Sequence, residues 1–122
     1  MLEADIYAHL STSTGVTAQT STRISPVLLP QNTEYPAQSY QRVGTYPVYS
    51  LSGYSSYENA RIIIDSWATS YSAAKTLSRA THKAMNAATA FKAIMDGESD
   101  LFDSEINLYR VSQSYSCWQA TT

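Results

Sequence analysis

Cysteine and long apolar runs are scarce in this sequence of 122 residues. Cys117 is the only cysteine, so no internal disulfide is possible and a reducing compartment is expected. No apolar run approaches the roughly 18 residues of a membrane helix. Glu3 and Asp5 stand where a signal peptide would carry basic residues. These absences predict an intracellular protein with no membrane partner.

Charge is also scarce, at 15% of the residues, and the formal net charge is −2. The polar surface must therefore consist mainly of Ser, Thr, Gln and Asn, which leaves copies of the chain to repel one another weakly. Ten tyrosines stand against two tryptophans and two phenylalanines. Tyrosine is common at interfaces, although cores use it as well. The length predicts one domain over residues 1–122, and the composition suits a subunit that assembles.

The central stretch runs from Ala60 to Phe91. Residues 60–68 are rich in β-branched and aromatic side chains and predict a strand. From Ala73 onward, apolar residues recur at steps of three and four, which predicts one face of a long helix. Thr69 or Ser70 lies at the junction, where a side-chain oxygen can cap the helix.

The first part of the chain predicts one short helix followed by a loop. Three apolar residues recur at every fourth position: Leu2, Ile6 and Leu10. This spacing indicates a helix that Gly15 closes. Residues 11–22 are nearly all Ser, Thr, Gly and Gln, so we expect a loop with Val16 turned inward. Residues 23–24 are expected to begin a short extended piece.

Residues 37–43 predict a strand that Gly44 ends. The next segment, about 44–58, carries no formal charge before Glu58 and predicts a long hairpin or projecting loop. Its tyrosines are Tyr46, Tyr49, Tyr54 and Tyr57. Because these rings are large and amphipathic, we expect them to contact a partner.

After the helix, acids cluster around Gly97, which we expect to break the helix and open an exposed loop. The acids are Asp96, Glu98, Asp100, Asp103 and Glu105. Residues 106–118 predict the last strand, and a change in its apolar alternation predicts a bulge near Arg110.

This order of elements predicts an α+β fold. We expect a single, mainly antiparallel sheet with a short N-terminal helix and a long helix on one face, plus a projecting β-hairpin. If Ile62 and Ile64 face the helices, the other sheet face carries Arg61, Ile63, Asp65 and Trp67. That face is too apolar for free solvent and too charged for a core, so a partner subunit is expected to cover it.

No pattern of catalytic, cofactor-binding or metal-binding residues emerges. His9 and His82 have no second ligand at zinc spacing, and Cys117 is expected to be a buried, inert thiol. The acids from Asp96 onward begin like a calcium loop, but Leu101 and Asn107 replace the required glycine and glutamate. We therefore expect neither an enzyme nor a cofactor.

A basic stripe on the predicted long helix consists of Lys75, Arg79 and Lys83, at steps of four residues. It is interpreted as a solvated face or as a contact to the acidic loop of a neighbouring subunit. Recognition of DNA is disfavoured because the chain is net negative.

Taken together, these segments resemble the tail completion or tail terminator proteins of long-tailed bacteriophages and prophages. The resemblance is carried by residues 23–26, 35–36, 40–43, 52–53, 61–68 and 109–112, in that order and spacing. It implies a small α+β subunit of the virion, made in the host cytoplasm and located at the head-proximal end of the tail.

The resemblance further implies a ring, usually a hexamer, that caps the tail tube, stops its polymerisation and joins the head connector. Its partners would be its own copies, the tail tube protein and the connector protein, with DNA only passing through the channel. Two alternatives remain open: a head-side stopper or adaptor of the same virion, and a monomeric binding module or small enzyme.

Overall fold

A computed structural model describes residues 2–20, 23–26, 35–50, 53–89 and 91–120, without the side chains of residues 47–50, 53–57 and 120. The helices of this part are α1 (Leu2–Thr12), α2 (Thr14–Thr20) and α3 (Tyr71–Asn86). The strands are β1 (Ile24–Pro26), β2 (Ala37–Ser50), β3 (Gly53–Ala68), β4 (Lys92–Asp103) and β5 (Leu108–Ala120).

The described strands form one sheet in the order β1-β2-β3-β5-β4. β1 runs parallel to β2, and every other neighbouring pair is antiparallel. The three helices pack together and contribute to one core against a single face of the sheet. The predicted α+β fold is therefore confirmed. Among the described helices, none combines the length and hydropathy needed to cross a bilayer.

The N-terminal region contains a second helix where a loop was predicted. α1 is confirmed, but Gly15 does not close it, because Gly15 lies inside α2. The Thr17 hydroxyl donates to the Ser13 carbonyl at 3.1 Å, so a side chain that would suit a loop instead supports the helical turn. Val16 is fully buried, as predicted, and its packing explains the helix. Residues 21–22 of the predicted loop lie outside the described part.

The hairpin predicted at about 44–58 is confirmed, but Gly44 does not end β2. The strand continues to Ser50 through a bulge between Arg42 and Gly44. A Cβ at Gly44 would lie 3.0 Å from the Tyr46 hydroxyl, so this close approach favours glycine. Among the described residues, β5 pairs with β3 from Tyr57 to Ala68, and the ribbon of residues 48–50 and 53–56 extends past this paired part of β5.

The junction of β3 and α3 is as the sequence predicts, whereas the end of α3 is not. The Ser70 side chain accepts a hydrogen bond from the Ala73 amide at 3.2 Å and caps α3. The helix ends at Asn86 and does not reach Phe91 or Gly97. Phe91 lies in the connection between α3 and β4 and is buried there. Its sequence position fits the helical spacing of apolar residues, but Phe91 is not part of the helix.

The predicted acidic loop is an edge strand, β4, and only residues 104–107 form a turn. The register between β4 and β5 shifts between Met95 and Gly97. Gly97 therefore lies at a β-bulge and not at the end of a helix. The bulge predicted near Arg110 is wrong, since β5 pairs without a register shift there. Ile106 lies in the turn before β5 and not in the strand. Its position therefore says nothing about which face of the sheet the residues of β5 occupy.

The main core lies between the sheet and the three helices. Ile62 and Ile64 of β3 face it together with Tyr115 and Cys117 of β5. α3 contributes Leu77 and Met85 to the same cluster, and α1 contributes the apolar stripe found in the sequence. This arrangement leaves the opposite sheet face uncovered by any described helix.

Candidate interaction surfaces

The outer sheet face carries the four residues of β3 that the sequence placed there: Arg61, Ile63, Asp65 and Trp67. They alternate with the fully buried Ile62 and Ile64, and each retains some exposure. The alternation follows from the two-residue period of a strand with helices on one side only. Their common face is therefore confirmed, while their role at an interface remains a prediction.

Charged groups on the outer face are paired across strands. Arg61 lies 3.4 Å from Asp96 of β4, and Asp65 lies 3.7 Å from Arg110 of β5. The Arg110 guanidinium also lies 5.1 Å from the centre of the Trp67 ring, a cation–π contact. Oδ1 of Asp65 is buried and has no hydrogen-bond partner among the described residues. The face thus combines apolar area with charges that are largely matched.

A groove of about 460 Å³ opens at one end of this face, beside the turn between β4 and β5. Trp67 and Arg110 line it from the central strands, and Leu101 and Phe102 line it from β4. The remaining lining residues are Asp103, Ser104 and Glu105. Aromatic and aliphatic walls thus meet two carboxylates in one concavity.

The hairpin is held at its base by Arg42. Its Nη1 lies 3.1 Å from Glu58 of β3, and its Nη2 lies 2.5 Å from Glu3 of α1. Burial alone would lower the pKa of Arg42, but the hydrogen bonds to the two carboxylates outweigh it and raise that pKa. Tyr46 near this base is 55% exposed. The side chains of Tyr49, Tyr54 and Tyr57 lie outside the described part.

The basic stripe does not act as one unit. Lys75 lies 3.0 Å from Glu98 and 2.9 Å from Asp100 of the same chain, so its partners are intramolecular. Of the two interpretations of the sequence, neither a solvated face nor a contact to a neighbouring subunit describes Lys75, because the sequence did not show that β4 folds back beside α3. Arg79 and Lys83 are exposed, and within the described ranges neither has an ion pair.

The acids of β4 are divided between the two sheet faces. The bulge at Gly97 changes the alternation, so that Asp96 contacts Arg61 on the outer face while Glu98 and Asp100 contact α3. Asp100 also accepts a hydrogen bond from the Tyr71 hydroxyl at 2.7 Å. In the described part of the chain, no three His, Cys, Asp or Glu residues are arranged to hold a metal ion.

A buried polar cluster around Gln113 was missed by the sequence analysis. Its amide nitrogen donates to the Ser78 carbonyl at 2.9 Å and to Glu98 at 2.8 Å. Its amide oxygen accepts from the Tyr115 hydroxyl at 3.0 Å. The sequence did contain one indication of this cluster. Gln113 alternates with Val111 and Tyr115, so it faces the core, and a buried amide needs hydrogen-bond partners.

His9, His82 and Cys117 each contact other residues of the fold. Nε2 of His9 lies 2.5 Å from the Ala84 carbonyl, and its ring packs edge-on against Phe91. His82 lies beside the Tyr115 ring. Cys117 is fully buried, and burial raises the pKa of its thiol to about 12, so little thiolate exists at neutral pH.

These surfaces lie on a small α+β fold in which the described helices cover one sheet face and leave the other open. Residues 4–120 match the family described as Tail completion protein gp17, and the chain belongs to this family. It is accordingly a structural protein of a phage-type virion tail.

A solved structure supports the fold. A chain of the "Virion of native gene transfer agent (GTA) particle" superposes with a TM-score of 0.79, over 96% of this chain and 92% of that chain. The two are 13% identical in sequence, so the similarity concerns the fold. No curated protein sequence matches this chain significantly.

Proposed function

We propose that this chain assembles into a ring, expected to be a hexamer, that caps the head-proximal end of the tail tube. The ring ends tube polymerisation and presents the surface that receives the head connector, with DNA passing through its channel. Membership of the tail completion family supports the site of action. The observation that carries the proposal is the half-apolar outer sheet face, which no described helix covers.

The outer face supports a closed assembly for a geometric reason. Ile63 and Trp67 remain partly exposed there, although Ile62 and Ile64 on the other face are fully buried. Covering this face with a second copy removes apolar area from water at roughly 25 cal/mol per Å². A contact between two identical patches stops at a dimer, whereas a contact between two different surfaces can close into a ring. Only the ring suits the end of a tube.

The hairpin supplies the contact to the adjoining ring in this proposal. Its ribbon extends past β5, and its residues from Gly44 to Tyr57 carry no formal charge. Docking therefore desolvates tyrosine rings without desolvating charges, which keeps its cost low. Tyr46, Tyr49, Tyr54 and Tyr57 are the proposed contact residues.

The role is proposed to be structural and not catalytic. Cys117 is buried and its raised pKa disfavours the thiolate that a nucleophile requires. The family itself consists of structural virion proteins. Together these observations support assembly as the function.

Native mass spectrometry of the purified protein, alone and with purified tail tubes, tests the ring directly. We expect closed oligomers, and negative-stain images should place them at the head-proximal end of the tube. Ile63→Lys on the outer face should prevent assembly, whereas Ala4→Lys on an exposed position of α1 should not. A strict monomer absent from tails would refute the proposal. Location on the head connector of tail-less heads would instead support a head-side stopper.

A further inference from the structure

We propose that the groove at the end of the outer sheet face is a socket for Arg79 and Lys83 of a second copy of this chain. The socket consists of Trp67, Leu101, Phe102, Asp103, Glu105 and Arg110. This inference rests on the proposed ring and identifies the contact between its neighbouring subunits.

The socket has the chemistry that a long cationic side chain requires. Leu101 is 43% exposed, so an aliphatic stem can cover apolar surface that now faces water. The Phe102 ring instead packs against Tyr109, with the ring centroids 4.7 Å apart. Asp103 accepts a hydrogen bond from the Glu105 amide at 3.0 Å. Within the described ranges, neither carboxylate of this turn has an ion pair. A cation entering from outside would therefore meet two carboxylates whose charge is not yet neutralised.

Arg110 already has a carboxylate partner. Its guanidinium lies 5.1 Å from the centre of the Trp67 ring and 3.7 Å from Asp65. The socket therefore combines one positive group that is paired with Asp65 and two carboxylates that have no ion pair within the described ranges.

The cations are available on α3. Arg79 and Lys83 lie one helical turn apart, both exposed, and neither has an ion pair within the described ranges. Lys75 continues the same stripe but is occupied by Glu98 and Asp100. Two adjacent free cations on the helix side thus match two free carboxylates on the outer sheet side.

The positions of the two surfaces determine the kind of contact. α3 covers one face of the sheet, whereas the socket opens on the other side of the sheet at the end of β4 and β5. A subunit therefore cannot place its own Arg79 in its own socket. The helix face of one copy must meet the outer sheet face of the next, which is the head-to-tail contact that a ring needs.

Two complementary variants test the socket. Arg79→Glu with Lys83→Glu makes the helix side negative, and Asp103→Asn with Glu105→Lys makes the socket positive while keeping an acceptor at residue 103. Each variant alone opposes like charges, so the protein concentration needed for ring assembly should rise at least about tenfold. In a 1:1 mixture, every contact pairs opposite charges again, and native mass spectrometry should detect rings of alternating variants.

The control Ala4→Glu adds a charge at an exposed position of α1, outside the stripe and the outer sheet face, and should assemble as the wild type does. Denaturation midpoints of all variants check that the chains fold. If either double variant alone assembles normally, or the mixture fails while wild-type rings form, the socket is refuted. If the wild type forms no ring on tails, the proposed function itself fails, so the two failures are distinguishable.

Discussion

The Lys75 ammonium lies 3.0 Å from the Glu98 carboxylate, which ties α3 to the edge strand of its own sheet. Gln113 donates to the other oxygen of Glu98 at 2.8 Å, so this carboxylate joins the helix to two strands. The contact gives an acid-rich segment a stable position in β4, because its charges are matched within the chain. It also removes Lys75 from the set of groups available to a partner.

This junction should weaken in acid. Burial alone would raise the pKa of Glu98, but hydrogen bonds from Gln113 and Lys75 lower it overall. Hydrogen bonds from Tyr71 and Lys75 likewise lower the pKa of Asp100. Because both pKa values are lower in the folded chain, their stabilisation is present above the unfolded values near pH 4 and is lost as pH falls through the folded values.

Lys75→Met should reduce this pH dependence. Thermal melts between pH 6 and pH 3 should show a smaller loss of Tm than the wild type, and at pH 7 the variant should lose up to about 1 kcal/mol. Lys83→Met, which removes a charge without an ion pair in the described part, is the matched control. An identical acid profile for Lys75→Met and wild type would contradict the role of the junction.

Gln113→Ala should destabilise the fold by about 1–3 kcal/mol, because the Tyr115 hydroxyl and the Ser78 carbonyl lose a buried partner. Urea denaturation measures the change. Gln41→Ala on an exposed position of β2 should have an effect within about 0.5 kcal/mol. Equal losses in the two variants would show that the buried cluster contributes nothing specific.

Cys117 should resist alkylation in the folded chain. The thiol is fully buried with its pKa raised to about 12, so at pH 8 iodoacetamide meets almost no accessible thiolate. Mass spectrometry should detect modification only after denaturant is added. Ser99→Cys in a Cys117→Ser background supplies an exposed thiol on β4 and should react without denaturant. Rapid labelling of native Cys117 would mean that β5 opens readily.

Replacing Tyr46, Tyr49, Tyr54 and Tyr57 by serine separates docking from folding. Since the ribbon extends past β5 and Tyr46 is 55% exposed, we expect a small change in Tm and a loss of head-to-tail joining. Joining is measured by adding the purified variant to tails and heads. Collapse of folding, with joining retained by the folded fraction, would assign these rings to the core.

The sequence determined the elements whose signals are local. The β-branched run at residues 60–68 predicted β3, and Thr69 or Ser70 at the junction predicted a cap of α3, which is Ser70 in the structure. The alternation around Ile62 and Ile64 predicted which residues share the outer face. The order of segments also predicted the tail completion family. Each of these depends on neighbouring residues or on the period of one element, and such information is present in a single chain.

Only the tertiary structure decided the elements that depend on distant partners. α2 is helical because Val16 is buried against the other helices. This contact cannot be predicted from a segment that is rich in Ser and Thr. β4 is a strand because β5 pairs with it and Lys75 and Gln113 receive its acids. The socket, too, exists only because the turn between β4 and β5 brings Asp103 and Glu105 beside Trp67. Burial and charge matching between distant residues overrode local propensity at each of these places.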